Sequence, residues 1–173
     1  MEKIDEKLIQ IHNDLFEINK DYLQRKGKLN PAIILIGKNY ELTPTLVKWS
    51  NGEEKEIVKY IIKKIIVRKK IKGYVFVADA RMTISDGKNP SDFSNAVVKE
   101  AIIQNLFTPK GNKMSMIIHK GSEIEKVEHL NPEDMINYQS DWDLWNSPVT
   151  EDKDIQDAYK KFKEENPDKF PDV

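Results

Sequence analysis

A chain of 173 residues, 33% of them charged and 39% apolar, is long enough for one globular domain with a real core and too apolar for a disordered one. With no cysteine, disulfides, thiolate catalysis and cysteine-ligated zinc or iron–sulfur centres are excluded. The formal net charge of −1 hides a division: residues 1–119 hold 21 Lys/Arg against 14 Asp/Glu, and residues 120–173 hold 7 against 15.

Such a division suits either a basic binding face with an acidic tail or an acidic segment lying on its own basic domain. No apolar run reaches the roughly 20 residues that cross a bilayer, so no membrane span is expected. The N-terminus, Met1-Glu2-Lys3-Ile4-Asp5-Glu6, lacks the apolar stretch of a secretory signal. A cytoplasmic protein is the expectation.

In chain order, Ile4, Leu8, Ile11, Leu15, Ile18 and Tyr22 recur at steps of three and four, with Phe16 and Leu23 beside them, which predicts a helix over Glu2–Lys26 stopped by Gly27. Ala32–Ile36 is a short apolar run of the kind that forms a buried strand. The turn residues 37–41 lead to a returning strand over Leu42–Trp49, whose Pro44 cannot donate to a ladder and so belongs at an edge or bulge. Residues 50–52 cap a central helix over Glu53–Lys70. Its Ile57, Val58, Ile61, Ile62 and Ile65 share one face, with Lys59, Lys63 and Lys70 opposite. Gly73 releases the chain into a strand over Tyr74–Ala78.

Residues 85–92 form a polar loop by their turn chemistry. The segment 96–107 accommodates either a helix or a strand; a strand is expected, because residues 108–112 read as a hairpin loop into Met114–His119. Gly121-Ser122 then turns the chain into Glu123–Leu130. Past Leu130 the composition becomes acidic and aromatic, with Tyr138, Trp142 and Trp145, and Thr150 caps a last helix carrying Ile155, Ala158, Tyr159 and Phe162. The expected fold is α+β: an antiparallel sheet of about five strands with an N-terminal and a central helix in a core domain of residues 1–130. An arm over 131–173, ending in a helix, packs on that core or on a partner.

Candidate chemistry is sparse. Asp79 and Arg81 at the end of one strand, Asp86 in the loop and Glu100 on a possible neighbouring strand could hold a divalent cation in a phosphoesterase-like centre. The plain alternative is that they end a buried strand in solvent. His12, His119 and His129 fall in no zinc-hydrolase or deaminase spacing, and neither a nucleophile elbow nor a phosphate-cradling glycine loop is present, so no metal and no cofactor are expected. Lys59, Lys63 and Lys70 outline a helix face that could meet phosphates. The arm's Tyr138, Trp142, Trp145, Tyr159 and Phe162 are the type of residue that anchors a protein partner. The leading expectation is a non-enzymatic accessory or interaction domain that binds a protein partner, or a second copy of itself, through its sheet and arm. A metal-dependent phosphoesterase or nuclease on Asp79, Asp86 and Glu100 is the alternative, and nucleic-acid binding through the Lys59–Lys72 face a third.

Overall fold

Alternation along the strands divides the apolar side chains between the two sides of one sheet, and each side is covered by helix. The computed structural model describes residues 3–46, 49, 51–84, 97–130, 143, 145, 153–165 and 167. Helix α1 spans Glu6–Lys26, strands β1 Ala32–Ile36 and β2 Leu42–Leu46, and helix α2 Gly52–Lys69. Strands β3 Gly73–Ile84, β4 Val97–Thr108, β5 Gly111–Lys120 and β6 Glu123–Leu130 follow, then helix α3 Lys153–Glu165. The strand order is β2-β1-β3-β4-β5-β6, antiparallel throughout. The expected α+β architecture is present with six strands, the weakly signalled 123–130 segment included. The ambiguous 96–107 segment is strand from Val97 onward, and Pro44 sits in an edge strand.

On one side, α2 and α3 cover Ile33, Leu35, Tyr74, Phe76 and Phe107, to which α2 contributes Ile57, Val58, Ile61, Ile62, Ile65 and Ile66. Each isoleucine taken fully out of water contributes roughly 1.5–3 kcal/mol, which offsets the poor helix propensity of its β-branched side chain. Asn51 caps α2 by accepting the Glu54 amide proton at 2.9 Å. Lys70 takes the left-handed C-cap position (φ 48°), so the helix ends one residue short of expectation. Phe162 is 7% exposed in this cluster, with Trp145, Ala158 and Tyr159 packed against it.

On the other side, α1 covers Ile34, Ile36, Val75, Val77, Ile102, Leu106 and Ile117. Its buried stripe is Leu8, His12, Phe16 and Leu23, with Ile4 buried and Ile11 and Leu15 packed against it as expected; the helix is rotated only enough to leave Ile18 62% exposed and Tyr22 exposed too. The rotation has a polar cause. The carboxamide nitrogen of Gln104 on β4 donates to His12 Nδ1 (3.1 Å) and to the His12 carbonyl (2.8 Å), and its oxygen accepts from Asn19 (2.8 Å). Because Nδ1 accepts, Nε2 carries the proton and faces Ser115 Oγ on β5 at 3.0 Å. The hydroxyl in turn donates to His129 Nδ1 on β6 at 2.8 Å. A fully buried imidazole thereby replaces an aliphatic residue in the stripe with every ring nitrogen accounted for.

Two glycines fix the ends of this layer. Gly27 stops α1 at φ 74° with its amide on the Leu23 carbonyl, and Gly73 starts β3 where a β-carbon would lie 2.8 Å from the Phe107 carbonyl oxygen.

Burial holds the His12 imidazole down to about 3 from its ordinary 6.5, with Lys113 and then His129 adding to the effect. The unfolded chain therefore binds a proton there that the folded chain refuses. This contribution to stability is complete above pH 6.5, is lost as pH falls from 6.5 toward 3, and is flat below. In urea titrations across that window the native chain is expected to lose on the order of 4 kcal/mol through this group, and His12→Gln to show a flatter pH dependence. An equal slope in both proteins would show that His12 is not the proton-linked group.

A candidate polar cleft at the end of helix α1

Where α1 stops, the α1 side of the sheet changes character. Along β3 the residues on this side run Val75, Val77, Asp79, Arg81; along β4, Leu106, Gln104, Ile102, Glu100; along β5, Lys113, Ser115, Ile117, His119. The apolar rows lie under the helix, and the polar row lies beyond it. Arg81 pairs with Glu100 and Glu100 with His119, so the three stand side by side across adjacent strands, with Asp79 one pleat back. Side chains opposed in this way have β-carbons about 4.5–5.5 Å apart. With Gly27, Lys28, Ala80 and Ala101 they line a cleft of about 380 Å³.

The charges in the cleft act on one another. Asp79 is exposed as a residue, yet its carboxyl is raised above the ordinary carboxylate value, chiefly by desolvation, with Glu100 pushing the same way and His119 opposing. His119 is buried and its Nδ1 lies 2.8 Å from the Gly121 carbonyl, to which it donates. In the neutral ring that leaves Nε2 as an acceptor. Among the described residues, Lys28, Asp79, Arg81 and Glu100 form no ion pair and no side-chain hydrogen bond. The cleft thus presents two cations, two carboxyls and an imidazole with no ion pair closed among them.

Of the residues singled out in the sequence, Asp79, Arg81 and Glu100 come together here, whereas Asp86, Tyr138 and Trp142 lie outside the described residues. Trp145 stacks on Tyr74 with centroids 6.4 Å apart, Tyr159 packs on Tyr60 and Phe162 is core, so these three arm aromatics dock on the chain's own sheet and helix α2. Lys59 does not extend a solvated face: it is 7% exposed and pairs with Glu56 at 3.1 Å, drawn in with the crowded aliphatic face of α2. Lys63 is half-buried and Lys70 exposed. His119 was missed as a site residue, although it alternates with Ser115 and Ile117 on one side of β5. Among the described residues, no three His, Asp or Glu side chains converge as ligands for one metal ion. Comparison with protein-family models, curated proteins and solved structures finds no match.

The opposed influences on Asp79 give a direct check. Carbon-13 NMR titration of its carboxyl should give a midpoint above 3.8, moved further up by His119→Ala and down by Glu100→Gln. A downward shift in His119→Ala or an upward shift in Glu100→Gln would contradict the geometry described.

Proposed function

We propose that this protein binds a small zwitterionic molecule in the cleft at the end of α1, with the capacity to move a proton on it. Lys28 and Arg81, both exposed, hold the anionic group. Asp79 and Glu100 face the cationic group, and His119 Nε2 accepts a hydrogen bond or a proton. The observation that carries this reading is the set of opposite charges in one register-aligned cleft, unpaired with each other among the described residues. The raised Asp79 carboxyl adds a group whose proton affinity has moved toward the working range of an acid. The docking of Trp145, Tyr159 and Phe162 on the chain itself turns the weight away from partner capture by the arm.

Thermal unfolding in the presence of free amino acids, and of amines and carboxylates of the same size, tests this reading. A bound ligand raises the midpoint through its linkage to folding, by RT ln(1 + [L]/Kd). Zwitterions are expected to raise it more than either singly charged series, and Arg81→Ala and Asp79→Asn each to remove the response. No shift with any series, or an undiminished shift in both variants, would reject the cleft as a binding site.

A further inference from the structure

The pole of the molecule opposite the cleft collects cations from segments far apart in sequence. The start of α1, the β1–β2 turn, the end of α2 and the β4–β5 turn all meet there, because Gly73 pairs with Ile36 and Thr108 with Gly111 and because Ile4 and Leu8 of the α1 segment approach Gly111 and Gly73. These segments bring Lys7, Lys38, Arg68–Lys70, Lys72 and Lys110, all exposed except the half-buried Lys72. Lys7 and Lys72 stand over the ring of Tyr40, at 4.2 and 4.6 Å from its centroid, which ties the first and third segments to the β1–β2 turn.

Two acids of the same pole, Asp5 and Glu41, are already engaged, and Glu6 stays exposed beside Lys7. Asp5 caps α1, accepting from the Lys7 amide at 2.9 Å and from the Tyr40 hydroxyl, and Glu41 accepts from the Asn39 amide at 2.8 Å. None of the cations named above is in an ion pair among the described residues. Glu53, Glu54 and Glu56 lie at the opposite end of α2, and Asp79, Glu100 and Glu123 at that same end of the sheet. That end is of mixed sign, since Lys28, Arg81, Lys99 and Lys120 stand among those acids, so the concentration of one sign belongs to the basic pole, in a chain whose net charge is only −1.

We propose that this basic pole binds the phosphate backbone of a nucleic acid. Cations spread over four segments match a repeating line of phosphates better than a single anion. A membrane surface would call for an apolar anchor beside the charges. Here the Tyr40 ring is covered by two lysines, and the exposed large apolar side chains are single residues on separate elements, Val67 on α2 and Leu42 on β2 at 66% and 44%, not the apolar helix face that enters a bilayer interface. The pole consists of turns and helix ends, with no helix laid out to enter a groove, so the contact is to backbone without base readout. It differs from the helix face suggested by the sequence: Lys59 is withdrawn, and Lys7, Lys38 and Lys110 from other elements take its place. This inference is independent of the cleft.

Fluorescence anisotropy of labelled random-sequence oligonucleotides, single-stranded and duplex, tests it on the full chain. Binding is expected near 50 mM salt and should weaken by about 10³-fold or more toward 200 mM if six or so phosphates are neutralised. Lys69→Glu combined with Lys110→Glu should lose at least tenfold (an order-of-magnitude expectation for reversing two contacts), while Lys160→Glu with Lys161→Glu on the exposed face of α3 should not. A circular-dichroism melt of both variants controls for folding. Absence of binding at low salt, equal losses in the two variants, or tighter binding to phosphatidylserine-rich vesicles than to any oligonucleotide would overturn the proposal.

Discussion

The hydrogen-bonded link from Gln104 through His12 to Ser115 decides where α1 lies on the sheet. It joins the helix to β4 and β5 at one fixed height, and a buried polar link of this kind tolerates no sliding, since a shifted helix would leave donors and acceptors without partners at about 1–3 kcal/mol each. Once that height is set, the helix length sets the rest. Gly27 ends α1 beside the β5–β6 turn, where its β-carbon position is 3.6 Å from the Ser122 amide nitrogen. Strands β3 and β4 continue past it. The polar row of Arg81, Glu100 and His119 is the part of the sheet that α1 does not reach, and the cleft follows from a helix shorter than the surface it lies on.

Two strengths of signal in the sequence explain what was legible. The isoleucine face of α2 and the strand runs at 32–36 and 74–78 are apolar patterns that admit one reading, and they appear as expected in the core. The stripe of α1 departs from expectation at Ile18 and Tyr22 because apolar residues surround the helix. Ile11, Leu15 and Ile18 compete with Leu8, Phe16 and Leu23, and the choice between them rests on His12, whose burial no hydropathy pattern foretells. Lys59 shows the reverse: a cation drawn inward by the width of an aliphatic face, with Glu56 close enough to answer its charge.

The cleft was half legible. Asp79, Arg81 and Glu100 stood out as polar residues beside apolar strands, but their association depends on register. A tight turn with Thr108 opposite Gly111 pairs Glu100 with His119 by simple counting back along both strands; reading all of residues 108–112 as the hairpin loop shifts that count by one. The β3–β4 register, which sets Arg81 beside Glu100, spans a polar segment in which no turn signature fixes the count. The same topology gathers lysines at the opposite pole, where the sequence shows only scattered charges. Composition had already separated a basic N-terminal part from an acidic C-terminal one; the fold gathers part of that basic excess at one end of the strands.

Amide chemical-shift mapping on the full chain, titrated with a free amino acid near neutrality, tests most directly whether the surface left bare by α1 is a binding site. The account requires saturable shifts that cluster at residues 27–28, 79–81, 100–101 and 119, the segments that line the cleft. Shifts that grow without saturating, or that gather around Lys7, Tyr40 and Lys110 at the far pole, would contradict it.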